Sequence, residues 1–345
     1  MPDPLEIYGT ATVPSALTSG QAYPWLSSLA RRAERHGMTG LLIIYNHTIL
    51  DPWAVAGVLL GHTTRLVPLV ATQPYSMPPF TAAKMISSLT SLYGRRIDLN
   101  VVTGAAPEEL DQIDDRIGHD ERYARAVEYL ALLRRLLSTD EPLTWQGDHY
   151  RYRRLRMNSM LAENLRPRVF AAGSSEANRR LVEQAGDVMI THPEPVDMFA
   201  GQFLAARKES GREVGVRVGL IARASGEEAW AVALDGHHVD RAARIRTLLK
   251  RESQSDWNRR MANLAAEGDI YDDVYWTGAY STGRTGAPLL VGNYDAVARY
   301  LQRYVDLGVS KLLLARVSTE DEFRHAREVL CRLRPSESQA SCHGL

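Results

Sequence analysis

Strand-like and helix-like runs alternate almost without a break through this 345-residue chain, and no other feature of the sequence restricts the fold as much. Residues 5–10, 39–45, 66–72 and 96–104 read as the first four strands, and 168–172, 188–191, 216–224 and 311–317 as the last four. Between them, apolar residues recur at helical spacing over residues 23–36, 52–61, 81–93 and 118–137. Further helices open at Glu176, Pro195, Glu227 and Tyr294, and one more closes the pattern near Leu333. Gly40-Leu41-Leu42-Ile43-Ile44 is apolar throughout, the pattern of a parallel strand covered on both faces. Eight strands alternating with helices specify an α/β fold, a (β/α)8 TIM barrel, in a single domain over residues 1–334 with a flexible tail at 335–345. A doubly wound sheet would alternate too, but no GxGxxG follows the first strand.

Two segments interrupt the alternation. Residues 141–152 hold Gln146-Gly147-Asp148 between short polar-aromatic runs and read as a hairpin. Residues 268–288 are rich in Gly, Thr, Ser, Asp and Tyr without periodicity, and so long a loop in a compact domain is functional or disordered. A long helical region over 227–265 precedes this loop. The basic and acidic side chains balance at 41 each, so nothing in the charge points to nucleic acid or an anionic membrane. Cys331 and Cys342 lack metal-ligand or CxxC spacing, so the expectation is a reducing, cytoplasmic setting and no metal. No signal-like segment opens the sequence, and no apolar run approaches the ~18 residues of a membrane span.

The candidate chemistry sits where strands end. Gly173-Ser174-Ser175 lies between a strand and a helix, where backbone N–H groups and two hydroxyls suit a phosphate; an ordinary N-cap would look the same. His119 and Tyr123 are four apart on one helix face after the fourth strand, although His119 could be a plain surface residue and Tyr123 core. Thr72 and Thr103 end the third and fourth strands. Arg217 falls inside the seventh strand, where it either faces the lumen or pairs with a carboxylate, and Arg284 stands in a Gly-flanked loop.

Asn100-Val101-Val102-Thr103-Gly104, His119-Asp120-Glu121-Arg122-Tyr123, Phe170-Ala171-Ala172-Gly173-Ser174-Ser175 and Val291-Gly292-Asn293 occur in an order that resembles the bacterial luciferase-like flavin monooxygenases, most closely their alkanesulfonate monooxygenase branch. The resemblance covers roughly residues 40–333 and implies a barrel with an insertion and mobile loop near its seventh strand, over about residues 231–290. It implies FMN, delivered as FMNH2 by a separate NAD(P)H-dependent flavin reductase, with O2 as co-substrate. A flavin peroxide then oxygenates a small organic molecule. Residues matching Asn100, Thr103, His119 and Tyr123 approach the flavin, and the turn Gly173-Ser174-Ser175 holds its phosphate. Thr72 joins this set by its position at the barrel mouth. Arg217 and Arg284 align with the branch's site arginines, one inside the barrel and one on a mobile loop that excludes water. A homodimer or homotetramer pairing through residues 52–61 and 81–93 is implied as well.

The departures fall on the substrate side. A histidine of the branch becomes Gly219, a tyrosine becomes Arg316, a tryptophan becomes His192, and a cysteine becomes Ile49 with His47 nearby. Gly219 is expected to open space and Arg316 to add positive charge, which suits a bulkier, acidic substrate such as a carboxylate-bearing intermediate. Desulfonation, N-hydroxylation, Baeyer–Villiger oxidation and carbon hydroxylation all stay open. So do deazaflavin-dependent hydride transfer and a non-catalytic flavin-binding role.

Overall fold

The structure, a computed structural model, describes residues 5–104, 107–201, 211–235, 256–281 and 287–333. Its contacts divide into two compact units. One comprises residues 11–34 and 39–189, the other residues 1–10, 35–38 and 190–345.

In the first unit, strands Gly40–Ile43, Val67–Thr72, Asp98–Val101 and Val169–Ala172 pair in that order, all parallel. Their residues are almost wholly buried, as strands covered on both faces require. Helices Pro52–Gly61, Pro79–Tyr93, His119–Ser138 and Glu176–Ala185 fill the intervals. Local chemistry sets their ends. The Asp51 carboxylate accepts from the backbone N–H groups of Trp53 and Ala54, Pro52 occupies the first turn, and Gly94 closes its helix at φ 66°. At the N-terminal ends of the strands, the fully buried Asp98 carboxylate accepts from the backbone N–H of Arg168 (3.0 Å) and from its guanidinium (3.0 and 3.2 Å), with Arg96 2.9 Å away. Asp187 similarly accepts from Val169 N and Arg134. Ion pairs therefore tie the strand starts, which leaves the strand ends for ligands.

In the second unit, Glu6–Ala11 pairs with Lys311–Ala315, and that strand with Glu213–Arg223. Lys311 is 1% exposed and its Nζ lies 2.5 Å from Glu213 and 3.8 Å from Glu6. The seventh strand is longer than the sequence suggested, and its two halves have different partners. Residues 215–219 pair with Lys311–Ala315, and residues 219–223 with a further parallel strand, Leu289–Asn293. That strand escaped the sequence reading because its five residues immediately precede a helix and carry no alternation.

The expectation of an irregular loop over 268–288 needs correction. Two-residue strands Ile270–Tyr271 and Tyr275–Trp276 extend the sheet, a turn of helix spans Gly278–Ser281, and Tyr275, Thr277 and Tyr280 are fully buried. Tyr275 donates to Pro193 O, and Thr277 to Gly268 O. Elements this short have no period to read. The long helical region resolves into Gly226–Asp235 and Asp256–Glu267, with the intervening residues outside those described.

Gly219 does not open space. A Cβ there would lie 2.2 Å from Cδ2 of Leu289, which is fully buried against Ile221, Trp276 and Val291. Gly219→Ala is accordingly expected to cost about 1–3 kcal/mol of unfolding free energy by overpacking. In urea denaturation, Gly219→Ala and Leu289→Ala together should cost less than the sum of the single changes; strict additivity would contradict the contact.

Candidate active site

The expected flavin-side residues all lie in the first unit, at or just beyond the C-terminal ends of its strands. Thr72 is the last residue of its strand and is buried, its hydroxyl donating to Val70 O at 3.2 Å. Asn100, half-buried, sits between Ala71 and Phe170 in register. Thr103 follows the same strand and is also half-buried. His119 opens helix His119–Ser138 behind Gly118, its Nδ1 2.7 Å from Asp120, and its ring lies 5.0 Å from that of Tyr123.

Gly173, Ser174 and Ser175 form the turn into helix Glu176–Ala185. Ser175 is its N-cap, its Oγ accepting from Asn178 N at 3.2 Å. Asn178, 1% exposed, returns a hydrogen bond to Gly173 O. Gly173 adopts φ 148°, and a Cβ there would lie 3.1 Å from Asn178 Cγ and 3.4 Å from the Tyr123 hydroxyl. Only glycine fits such a corner. The Ser174 hydroxyl is buried with no partner among the described residues. An orphaned hydroxyl beside the free N–H groups of a helix start, with a tyrosine hydroxyl opposite, fits a phosphate dianion. The residues therefore suit the phosphate end of FMN.

Sequence reasoning missed several neighbours. Tyr45 and Tyr75, soon after the second and third strands, place their rings 6.5 Å apart at 67°, and burial raises the Tyr75 hydroxyl above its ordinary value. His47, already noted beside Ile49 in the sequence, places its Nδ1 3.0 Å from Gln112 Oε1. Arg122 and Arg125, on the helix that His119 opens, are tucked in. Arg122 donates to Ile117 O, and Arg125 grips Asp115 with bonds of 2.9 and 2.7 Å. Only the position of the tyrosines just past strand ends could have flagged them.

The expected substrate-side residues lie in the second unit. His192 follows strand Val188–Thr191, and Arg217 lies within Glu213–Arg223. Burial above all, and then the Arg217 charge, push the His192 imidazole well below its ordinary value, with a hydrogen bond from the ring to the Arg217 backbone acting the other way. The ring is therefore neutral, lies over Trp257 with centroids 3.8 Å apart and planes tilted by 31°, and its Nδ1 has no partner among the described residues. The Arg217 Nε is likewise buried and without a partner among the described residues, and desolvation lowers the pKa of the guanidinium to about 10. Trp257, against which Tyr280 packs edge-on at 5.6 Å, was not anticipated, since it read as ordinary helix. Arg316 is exposed directly after strand Lys311–Ala315 at φ 65°, a left-handed conformation costly for arginine. Arg284 lies outside the described residues. Among the described residues there is no cluster suited to a metal, and no helix is long and apolar enough to cross a membrane.

Because folding lowers the His192 pKa, the unfolded chain takes up its proton first as pH falls. Native stability should decline below about pH 6.5, by up to about 1.4 kcal/mol per pH unit until the folded ring titrates. Urea midpoints measured between pH 7.5 and 5 should show a shallower decline in His192→Gln; parallel curves would contradict this.

Comparison with known proteins defines the class. Residues 7–311 match the luciferase-like monooxygenase family, and the chain belongs to that family. The monooxygenase BtrO of Niallia circulans, which acts on 4-(gamma-L-glutamylamino)butanoyl-BtrI acyl-carrier protein, is 41% identical over 302 residues, spanning 87% of this chain and 89% of that protein. EDTA monooxygenase from Chelativorans sp. BNC1 superposes with a TM-score of 0.75 at 18% identity, over 95% of this chain and 93% of that one. Riboflavin lyase RcaE, solved with a modified FMN and riboflavin, gives 0.74 at 19%, over 95% and 91%. These likenesses show the fold, a luciferase-like (β/α)8 barrel of eight parallel strands with flanking helices.

Proposed function

We propose that this chain uses reduced FMN and O2 to oxygenate an amino-acyl group carried as a thioester on an acyl-carrier protein. The observation that carries this reading is the 41% identity to BtrO, sustained over 87% of the chain. The rebuilt substrate side agrees with it, since a γ-glutamyl group brings the carboxylate that an extra arginine suits. Gly173, Ser174, Ser175 and Tyr123 would hold the flavin phosphate, with Thr72, Asn100, Thr103 and His119 toward its ring and ribityl chain. Bound reduced FMN supplies two electrons, so that one oxygen atom of O2 enters the substrate and the other leaves as water.

The chain's own part is binding and proton handling. Arg217 offers an unused, desolvated donor to a carboxylate. Neutral His192 presents Nδ1 to a substrate proton. Arg316, directly after the strand that pairs with that of Arg217, adds charge on this side, and Arg284 joins the set through the family resemblance. A separate NAD(P)H-dependent flavin reductase would deliver the FMNH2, and a homodimer or homotetramer is the assembly we assign.

The test incubates the chain with FMN, NADH, a flavin reductase and BtrI carrier loaded with 4-(γ-L-glutamylamino)butanoyl. Intact-protein mass spectrometry should show the gain of one oxygen, dependent on FMN and O2, while alkanesulfonates of graded length release no sulfite. Efficient desulfonation with an unmodified acyl carrier would overturn the reading.

A further inference from the structure

The hairpin between the fourth and fifth barrel strands carries an arginine face that the catalytic reading does not use. It consists of strands Leu143–Gln146 and Arg151–Leu155, antiparallel. In a chain with balanced charge, Arg151, Arg153, Arg154 and Arg156 fall within six residues, and all four are exposed. None of their side chains has an ion-pair or hydrogen-bond partner among the described residues. An alternating strand would turn every second side chain inward. Here Leu143 faces Leu155 and Trp145 faces Tyr152, so Arg153 and Arg154 both oppose the single residue Thr144. Arg154 takes φ 49° to make this bulge, a conformation disfavoured for any residue with a Cβ, and its N–H is held by the Thr144 hydroxyl. The bulge keeps two successive arginines on the solvent side.

The other side of the hairpin is firmly seated. The Glu128 carboxylate accepts from Trp145 Nε1, His149 N and Tyr150 N at 2.9–3.0 Å, and lies where a side chain on Gly147 would have to be. Tyr150 donates to Pro74 O, and the Tyr152 hydroxyl accepts from Phe80 N. Residues 74–80 are the segment that leaves the C-terminal end of strand Val67–Thr72, where Thr72 marks the expected flavin site. A rigid, unneutralised cationic face thus stands beside the mouth of this unit.

We propose that this face docks the acidic surface of the carrier protein that delivers the substrate. The inference rests on the proposed function and deepens it, by assigning where the partner binds. Four free guanidiniums attract carboxylates and the phosphodiester of a phosphopantetheine arm alike. Docking here would orient that arm toward the strand ends.

The test compares wild type with R151E/R153E/R154E/R156E and with the corresponding fourfold lysine variant, all outside the packed core. Binding to holo-BtrI carrier is followed by fluorescence anisotropy at low and moderate salt, and oxygenation by mass spectrometry on both the acyl-carrier and the acyl-pantetheine thioester. Charge reversal should weaken carrier binding at least tenfold and abolish its salt dependence, lysine should keep most of it, and turnover of acyl-pantetheine should stay within twofold. Undiminished binding in the reversed variant would overturn the docking site, as would no binding by wild type, or wild-type binding of a single-stranded RNA oligonucleotide in place of the carrier. Failure of wild type to oxygenate either thioester would instead count against the proposed function, with the binding result still deciding the surface.

Discussion

Arg217→Met is expected to lower kcat/KM for the γ-glutamyl acyl substrate by about 10²-fold or more, with FMN affinity unchanged. The Nε of Arg217 is buried without a partner among the described residues, and desolvation draws the pKa of the guanidinium down to about 10. A buried donor of this kind gains most from an anionic acceptor brought by the substrate. Removing one member of a buried charge pair costs about 2–5 kcal/mol, and each 1.4 kcal/mol is tenfold in rate. Lysine should rescue little, because a compact ammonium cannot reproduce the guanidinium fork. Steady-state kinetics on the carrier-linked substrate, with flavin titrations alongside, read both quantities. An unchanged kcat/KM would remove Arg217 from the substrate site. Equal loss of FMN affinity would move it to the cofactor.

The second large effect is on stability. Asp98→Ala should cost about 3 kcal/mol or more. Burial raises the Asp98 carboxyl from its ordinary value, while the charges of Arg168 and Arg96 oppose that rise. Removing the carboxylate strands both guanidiniums and the backbone N–H of Arg168 at the start of a buried strand pair. Both arginines are partly exposed, which holds the loss toward the lower end of the range for buried pairs. Asp98→Asn should lose less, since its amide oxygen can still accept from Arg168 N. Urea denaturation of the three proteins tests this ordering. An alanine variant within 1 kcal/mol of wild type would show that the pair contributes little.

Much of this was legible beforehand, for a physical reason. Strands buried on both faces must be apolar throughout, so Gly40-Leu41-Leu42-Ile43 announced itself, and helix Pro52–Gly61 was bounded by Asp51 and Pro52 at one end. The corner Gly173-Ser174-Ser175 was readable because a helix start and its serines are local chemistry. What failed were inferences that need a third dimension. Gly219 looked like vacated space, yet Leu289 from a strand absent from the sequence reading fills it. Trp257 is far from His192 in sequence and lies over it. Residues 268–281 looked unstructured because Tyr275 and Tyr280 are held by burial rather than by any repeating pattern.

The corner at Ser174 is the site that we propose holds a flavin by its phosphate. Anaerobic isothermal titration with FMNH2 and with reduced riboflavin, on wild type and on Ser174→Ala, addresses it directly. FMNH2 should bind saturably at one site per chain. Riboflavin, lacking the phosphate, should bind at least tenfold more weakly, and the alanine variant should narrow that difference. Equal affinity for the two flavins, or no heat with either, would contradict the assignment.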